Sequence, residues 1–159
     1  MSKNPRSKST ATAENALDSA EVDAFLEIRQ DARMGTNRGD GWWHLTPIWY
    51  AWDGTRFRHT LGAGRRHLRN LRNDPHVTLC VDEDPRLTDG LAAGARSVVC
   101  FGSAELSTDE QFVRDVTWEI LQRYLGDDAS QYIEPILAEG RTIVTVTPQH
   151  WLTWDYNKD

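Results

Sequence analysis

The stretch GRRHLRNLRNDP, residues 64–75, concentrates four arginines and a histidine in a chain whose formal net charge is −6. Leu68 and Leu71 lie three positions apart, which is the spacing of one face of a helix. Because proline disfavours helical backbone in the residue before it, Pro75 ends this helix. The stretch is therefore predicted to form a short basic helix over about residues 65–73.

The first turn of this helix points to anion binding. Arg65 and Arg66 stand there, although the helix dipole places partial positive charge at that end and disfavours cations. An anion resolves the conflict, because it would meet two guanidinium groups and the free backbone N–H groups that follow Gly62 and Gly64. We therefore predict a phosphate site here. The charge pattern leaves open the alternative of a basic surface helix that pairs with some of the 24 acidic residues.

Other residue types that support catalysis or metal binding are scattered along the chain. The five histidines show no spacing, to one another or to the two cysteines, that is typical of metal ligands, so no metal site is predicted. Cys80 and Cys100 lie in apolar segments and are interpreted as free buried thiols. No nucleophile elbow, GxGxxG run or P-loop occurs. Tyr50 and His44 could donate a proton, but a structural role explains both more simply, so the catalytic residues are unknown.

Runs of apolar, β-branched and aromatic residues predict six strands. The Asp53-Gly54 pair is typical of a hairpin turn between the first two. These strands cover residues 41–52, 55–61, 76–82, 97–106, 141–147 and 150–156, with Pro148 between the last two and a long polar loop over residues 82–97. Besides the basic helix, helices are predicted over residues 18–32, 107–126 and 130–140. Hairpin-linked strands with peripheral helices indicate an α+β fold built on an antiparallel barrel.

The two long helices are bounded by local signals. Asp18 with Glu21, and Ser107 with Glu110, have the spacing of capping boxes and are predicted to open the first two. Gly126 is predicted to stop the second of them. The third helical piece is expected to be interrupted by Pro135.

The composition indicates one soluble globular domain. The chain has 159 residues, 39% hydrophobic and 26% charged, and no apolar run approaches the ~20 residues of a membrane span. Residues 1–17 lack a secretory signal and are predicted to be a disordered tail, so the domain covers residues 18–159. Unpaired cysteines favour the reducing cytoplasm. The acidic total argues against nucleic-acid binding through the basic helix.

The order of several segments resembles the pyridoxamine-5′-phosphate-oxidase-like family, whose members are flavin- or deazaflavin-binding split barrels. The segments are PIWYAWDG, GAGRRHLRNLRNDPHVTL, FGSAEL and RTIVTVTPQHWLTWDY. The resemblance covers about residues 21–156, and RNLRNDP is its most specific part. It implies a six-stranded antiparallel split barrel that binds its cofactor at the interface of a homodimer.

The resemblance also implies which residues hold the cofactor. In the family, a Ser-Arg-Lys run before the basic helix binds the cofactor phosphate, and its places fall on Arg65, Arg66 and His67. His67 thus replaces a lysine, and histidine is only partly charged near neutral pH. The family lays the ring edge of the cofactor along the preceding strand, at positions that correspond to Thr46, Pro47 and Ile48. The aromatic residues expected near the ring or the substrate are Trp49 and Trp151.

Two functions of different kinds are consistent with these features. The first is an oxidoreductase that uses FMN or the deazaflavin coenzyme F420 to transfer a hydride to or from a small conjugated molecule. The extra arginines suit the acidic oligoglutamate tail of the deazaflavin. The alternative is a non-catalytic binding or storage protein for a flavin, haem or another planar ligand. Oxidation of pyridoxamine phosphate itself is less favoured, because PQHWLTWDYNKD at the end of the chain holds no arginine for a substrate phosphate.

Overall fold

The computed structural model describes residues 11–28, 30–83 and 94–158. Within these residues, seven strands form one sheet and four α-helices pack around it. The strands are β1 (Ala32–Asn37), β2 (Trp43–Ile48), β3 (Ala51–Trp52), β4 (Phe57–Gly62), β5 (His76–Glu83), β6 (Arg96–Ser107) and β7 (Arg141–Asp155). The helices are α1 (Ser19–Glu27), α2 (Arg66–Asn73), α3 (Glu110–Leu125) and α4 (Ala129–Ala138).

The sheet curls because its two edges are joined by a short piece of chain. Its strands follow the order β2-β1-β5-β6-β7-β4-β3 and pair antiparallel. A flat sheet of this width would hold its edge strands about 29 Å apart. Only Trp49 and Tyr50 connect β2 to β3, and three Cα–Cα steps reach at most about 11 Å. The edges therefore meet, and the sheet forms the half-barrel of an α+β fold.

The prediction of six strands is wrong, because the described residues contain seven. The seventh strand is β1, whose residues ARMGTN include no run of β-formers and begin within the first predicted helix. This strand is held from both sides, since it pairs with β2 and with β5. Tertiary pairing therefore overrides its weak local preference.

Pro148 does not separate two strands as predicted, because β7 runs through it. The register places Phe101 opposite His150 but Gly102 opposite Pro148, so Gln149 is the extra residue of a β-bulge. A bulge accommodates a proline, which has no N–H to give to the sheet. The hairpin at Asp53-Gly54 is confirmed, with Gly54 at a φ of 86°.

Of the two predicted capping boxes, the one at the start of α1 is confirmed and the one at the start of α3 is wrong. Asp18 opens α1 through a complete capping box with Glu21, as predicted. The helix ends at Glu27, earlier than expected, because the chain must turn into β1. The cap of α3 is Asp109 rather than Ser107, and its carboxylate accepts a hydrogen bond of 2.9 Å from the N–H of Phe112.

The main core lies between the concave face of the sheet, α1 and α2. Its largest fully buried side chains include Phe25, Met34, Tyr50 and Phe57. A second apolar cluster joins α3 to the sheet through Val116, Ile120 and Ile143, among others. Both α2 and α3 are thereby fixed against the strands whose ends form the cleft described below.

The first described residues lie against the last strand. The N–H of Asp155 donates to the carbonyl of Asn15, which is buried, and the N–H of Leu17 donates to the hydroxyl of Thr153. Contact with the sheet thus begins before the domain boundary expected at Asp18. Residues 1–10 of the predicted tail, and most of the loop predicted over residues 82–97, lie outside the described residues. None of the described helices has the length and apolar character to cross a membrane.

Candidate functional site

A cleft of about 460 Å³ opens where the link between the edge strands passes the end of β4. Its floor comes from β2 and β4, and its opposite wall from α3, α4 and the start of β7. Six of the eight residues predicted to bind a cofactor line this cleft: Thr46, Pro47, Ile48, Trp49, Arg65 and His67. The fold thus brings together two segments that lie about 20 positions apart in the sequence.

One end of the cleft is cationic. A Cβ atom placed on Gly62 would lie 3.2 Å from Nη1 of Arg141 and 3.8 Å from Nε of Arg65, so both guanidinium groups face this glycine. Arg141 is held in place, because its Nε donates to the carbonyl of Ile136 at 3.1 Å and its Nη2 contacts Glu139 at 3.3 Å. Burial, together with the positive charge of Arg65, lowers the pKa of Arg141. Glu139 balances one of these two cations, so this end keeps a net positive charge that favours an anion.

The start of α2 adds backbone donors to this cationic end. Arg65 is the N-cap residue of the eight-residue helix, and its side chain makes no capping hydrogen bond. The first amides of α2 therefore keep their capacity to donate. Arg66, the first residue of the helix, is exposed and does not line the cleft. Arg141, and not Arg66, thus stands beside Arg65 in the cleft.

His67 is buried against the cleft without a hydrogen-bond partner. Only 7% of the residue is exposed, and neither ring nitrogen is bonded. Its ring stacks on His44 with centroids 5.2 Å apart and lies 6.4 Å from the ring of His59. Burial, followed by the effects of His44 and Arg65, lowers the pKa of His67 to about 4. The ring is therefore neutral at physiological pH and offers unused hydrogen-bonding capacity to a ligand.

His59 was not predicted, yet it also lines the cleft. Its Nδ1–H donates to the carbonyl of Trp49 at 2.7 Å, since a carbonyl can only accept. Burial lowers the pKa of His59 to about 3, so the ring is neutral and Nε2 carries a lone pair. No partner occupies this buried Nε2. The alternating pattern of β4 was the sequence signal for it, because His59 and Phe57 share the inward face.

The far end of the cleft is aromatic and apolar. Trp49 stacks on Tyr124 of α3, with centroids 4.6 Å apart and planes 5° from parallel. The hydroxyl of Tyr124 donates to the carbonyl of Gln30 and accepts from the N–H of Tyr50, which ties α3 to the strand link. Apolar side chains of α3 and α4 complete the wall: Ile120, Leu121 and Ile136. This end suits a flat, weakly polar ring system.

Three predicted candidates lie elsewhere. Trp151 lines a different cleft of about 620 Å³, where it packs edge-on against Trp52. Tyr50 is fully buried, and its hydroxyl donates to the carbonyl of Leu26, so its role is structural. His44 contacts the cleft only through His67. In the described part of the chain, no three His, Cys, Asp or Glu residues are arranged to hold a metal ion, and Cys80 and Cys100 are free thiols.

Arg141 carried no local sequence signal. It follows Gly140, which has a φ of 73°, and stands 76 positions after Arg65. The two meet because β7 pairs with β4 and opposes Arg141 to Gly62. The N–H of Ala63 also donates to the carbonyl of Gly140. Only the pairing of these strands reveals that Arg141 belongs to the cleft.

A curled antiparallel half-barrel with a cleft beside its joined edges is the architecture of a split barrel. The sequence profile of pyridoxamine 5′-phosphate oxidase matches residues 19–155. The chain therefore belongs to the pyridoxamine 5′-phosphate oxidase-like split-barrel family. No curated protein sequence matches it significantly.

Solved structures share this fold at low sequence identity. A conserved hypothetical protein from Mycobacterium tuberculosis is 24% identical, with a TM-score of 0.81 over 94% of this chain and 92% of that one. A FAD- and haem-binding protein from Mycobacterium smegmatis is 16% identical, with a TM-score of 0.70 over 89% and 73% of the chains. An F420 reductase is 23% identical, with a TM-score of 0.62 over 81% and 94%. These likenesses support the fold and leave the ligand of this chain open.

Proposed function

We propose that the protein is a flavin- or deazaflavin-dependent oxidoreductase that transfers a hydride to or from a small conjugated molecule. The observation that carries the proposal is the convergence of Arg65 and Arg141 on Gly62, beside the unpartnered ring of His67. This end fits the phosphate of FMN or the acidic portion of F420, and the apolar end fits a flavin ring. When bound, the cofactor supplies the hydride chemistry, and the protein supplies position and electrostatics.

The backbone of β2 is suited to hold the edge of the ring. This strand lies at the edge of the sheet and pairs only with β1. Half of its N–H and C=O groups therefore point away from β1 without a strand partner. Thr46 and Ile48 can offer such groups, whereas Pro47 has only a carbonyl. The neutral His59 on β4 adds a hydrogen-bond acceptor, its Nε2 atom.

A homodimer is the proposed assembly, because one face of the sheet carries large exposed apolar side chains. Trp43 and Leu45 on β2 are 65% and 68% exposed. The pairing register continues the row of Leu45 across β1 and β5 to Phe101 on β6, which is also exposed. Contiguous apolar surface of this kind marks an interaction site. We propose that Trp151, which is 40% exposed and lies outside its own cleft, contributes to the cofactor site of the partner chain in such a dimer.

Haem binding without turnover is the second candidate function, and His59 favours it. Metal-ligating histidines commonly donate one ring N–H to a carbonyl and present the other nitrogen to the metal. His59 has the first part of this arrangement, since its Nδ1 is bonded to Trp49, its Nε2 has no partner, and the residue lines the cleft. None of the catalytic candidates from the sequence, Tyr50 or His44, lines the cleft, which also suits a storage role.

A binding titration separates these functions. The purified protein is titrated with FMN, with F420 and with hemin, and binding is followed by fluorescence quenching or by the Soret band. We expect FMN or F420 to bind and to support reduction of a quinone or enone by the reduced cofactor. Soret changes that disappear in His59→Gln, with no binding of either FMN or F420, would establish the haem alternative. Failure of all three ligands to bind would contradict both proposals.

A further inference from the structure

We propose that His67 takes up a proton when a phosphate dianion binds in the cleft, so that the anion site gains a third positive charge only in the complex. This inference rests on the proposed function, because it requires a phosphate-bearing ligand at the cationic end. It concerns what the chain does at the position where its family relatives are expected to carry lysine. A lysine would be a cation with or without a ligand, whereas His67 would be a cation only while the dianion is bound.

The burial of His67 carries the inference. The residue is 7% exposed and lines the cleft, yet neither Nδ1 nor Nε2 has a hydrogen-bond partner. A neutral imidazole has one N–H and one lone pair, whereas an imidazolium has two N–H donors. Buried polar groups in native proteins rarely go without a partner. An anion in the cleft would accept from the ring and favour its charged form.

The groups around His67 explain why the ring is neutral without a ligand. His44 on β2 and His59 on β4 lie on two sides of the ring. Arg65 from the start of α2 and Arg141 from β7 bring positive charge to the same cleft. Asp31 is the only carboxylate among the described lining residues, and Glu139 pairs with Arg141 at 3.3 Å. Burial, followed by the effects of His44 and Arg65, lowers the pKa of His67 to about 4.

A bound dianion reverses this balance. A phosphomonoester carries close to two negative charges above its second pKa near 6. When the dianion lies between Arg65 and Arg141, its negative charge outweighs their positive charge at His67. The electrostatic potential at the ring then favours a bound proton instead of opposing it. The proton comes from the solvent, and the imidazole becomes an imidazolium that donates to the phosphate. Binding therefore consumes a proton, and affinity for the dianion rises as the pH falls toward neutrality.

Calorimetry in buffers of different ionisation enthalpy tests the inference. At pH 7.5, FMN binding to the wild type is expected to take up about one proton per site, and its Kd is expected to fall up to tenfold per pH unit from pH 8 to 7. Riboflavin, which lacks the phosphate, is expected to bind without uptake. His67→Gln should bind FMN more weakly and without uptake, whereas His67→Lys should bind it without uptake and with little pH dependence. His76→Gln, which changes an exposed histidine, should behave as wild type.

The outcomes separate this inference from the proposed function. FMN binding without proton uptake would overturn the inference and leave the proposed function standing. Uptake that persists in His67→Gln would also overturn it, because the proton would then reside on the phosphate or on another residue. If FMN does not bind, inorganic phosphate is the second probe, with the His67 ring followed by NMR. Failure of FMN, F420 and inorganic phosphate to bind would remove both proposals.

Discussion

At the scale of single residues, the cleft is notable for buried polar atoms that make no hydrogen bond in the described structure. His59 and His67 line the cleft with buried ring nitrogens that have no partner, beside the exposed Arg65 and the half-buried Arg141. Each unpartnered histidine nitrogen costs stability in the ligand-free protein, because a desolvated polar atom lacks its hydrogen bond. Such costs are typical of binding sites, where a ligand supplies the missing partner.

Substituting Arg141 tests the cationic end. Arg141→Ala is expected to weaken binding of FMN by about 1.5–3 kcal/mol, the range for a hydrogen bond to a charged group. Riboflavin affinity should change little, since it has no phosphate. Arg72→Ala is the matched control, because Arg72 is exposed in the last turn of α2. Both variants are titrated by fluorescence quenching, and equal effects on FMN would mean that Arg141 does not bind the phosphate.

The buried histidines also predict how stability depends on pH. The folded-state pKa values of His59 and His67, about 3 and about 4, lie below the ordinary value of 6.5. Below pH 6.5 these two histidines bind protons in the unfolded chain but not in the folded protein. The free energy of unfolding therefore keeps their full contribution above pH 6.5 and loses it as the pH falls toward 4. Each histidine contributes a slope of up to about 1.4 kcal/mol per pH unit.

Urea denaturation of the ligand-free protein at pH 7.5, 6 and 5 measures this effect. The free energy of unfolding should fall across the series, and His67→Gln should fall less steeply because one of the two groups is gone. His150→Gln should retain the wild-type slope, since that histidine is exposed and lies outside the cleft. Parallel slopes for wild type and His67→Gln would contradict the assignment of a neutral, buried His67.

At the scale of elements, the bulge between β6 and β7 lets one strand of fifteen residues continue through Pro148. The same strand carries Arg141 into the cleft at its beginning and contacts Leu17 near its end. A single continuous β7 therefore links the binding end of the sheet to the N-terminal segment. Two separate strands, as the proline suggested, would not impose that connection.

Gly102 is predicted to be essential to this bulge. A Cβ atom there would lie 2.6 Å from the carbonyl oxygen of Thr147 and 2.8 Å from Val146, and backbone cannot move aside easily. Gly102→Ala is expected to lower the free energy of unfolding by about 1–3 kcal/mol through overpacking. Gly35→Ala is the control, since its Cβ would meet its nearest neighbour at an ordinary 3.7 Å. Urea denaturation compares the two, and equal destabilisation would contradict the steric argument.

At the scale of the whole molecule, the apolar outer face of the sheet predicts a homodimer. Leu45→Arg should place a charge in the middle of this face and dissociate the dimer, as measured by sedimentation velocity at micromolar concentration. Tyr132→Arg, at an exposed position on α4, is expected to leave the sedimentation coefficient unchanged. A monomeric wild type would remove the proposal, and a Leu45→Arg dimer would move the interface elsewhere.

The elements whose signals are local could be predicted from the sequence. The hairpin at Asp53-Gly54, the capping box at Asp18 and the short basic helix follow from turn chemistry, capping and spacing, which act within a few residues. The resemblance of segment order also led to the family and to six residues that line one cleft. The two wrong predictions also have a physical cause. The strand β1 was not predicted because it lacks strong β-formers, and β7 was predicted as two strands because a proline usually ends a strand.

The set of side chains that share the cleft depends on long-range packing, which no local sequence signal contains. The pairing of β4 with β7 brings Arg141 to Gly62, and the curl of the sheet brings the link between its edges against α3. Burial, which depends on every neighbouring element, makes His67 and His59 neutral. Local sequence sets the conformations that the chain prefers, but distances and desolvation arise from long-range packing. A four-arginine stretch therefore predicted an anion site, while the pairing of distant strands places Arg141 beside Arg65.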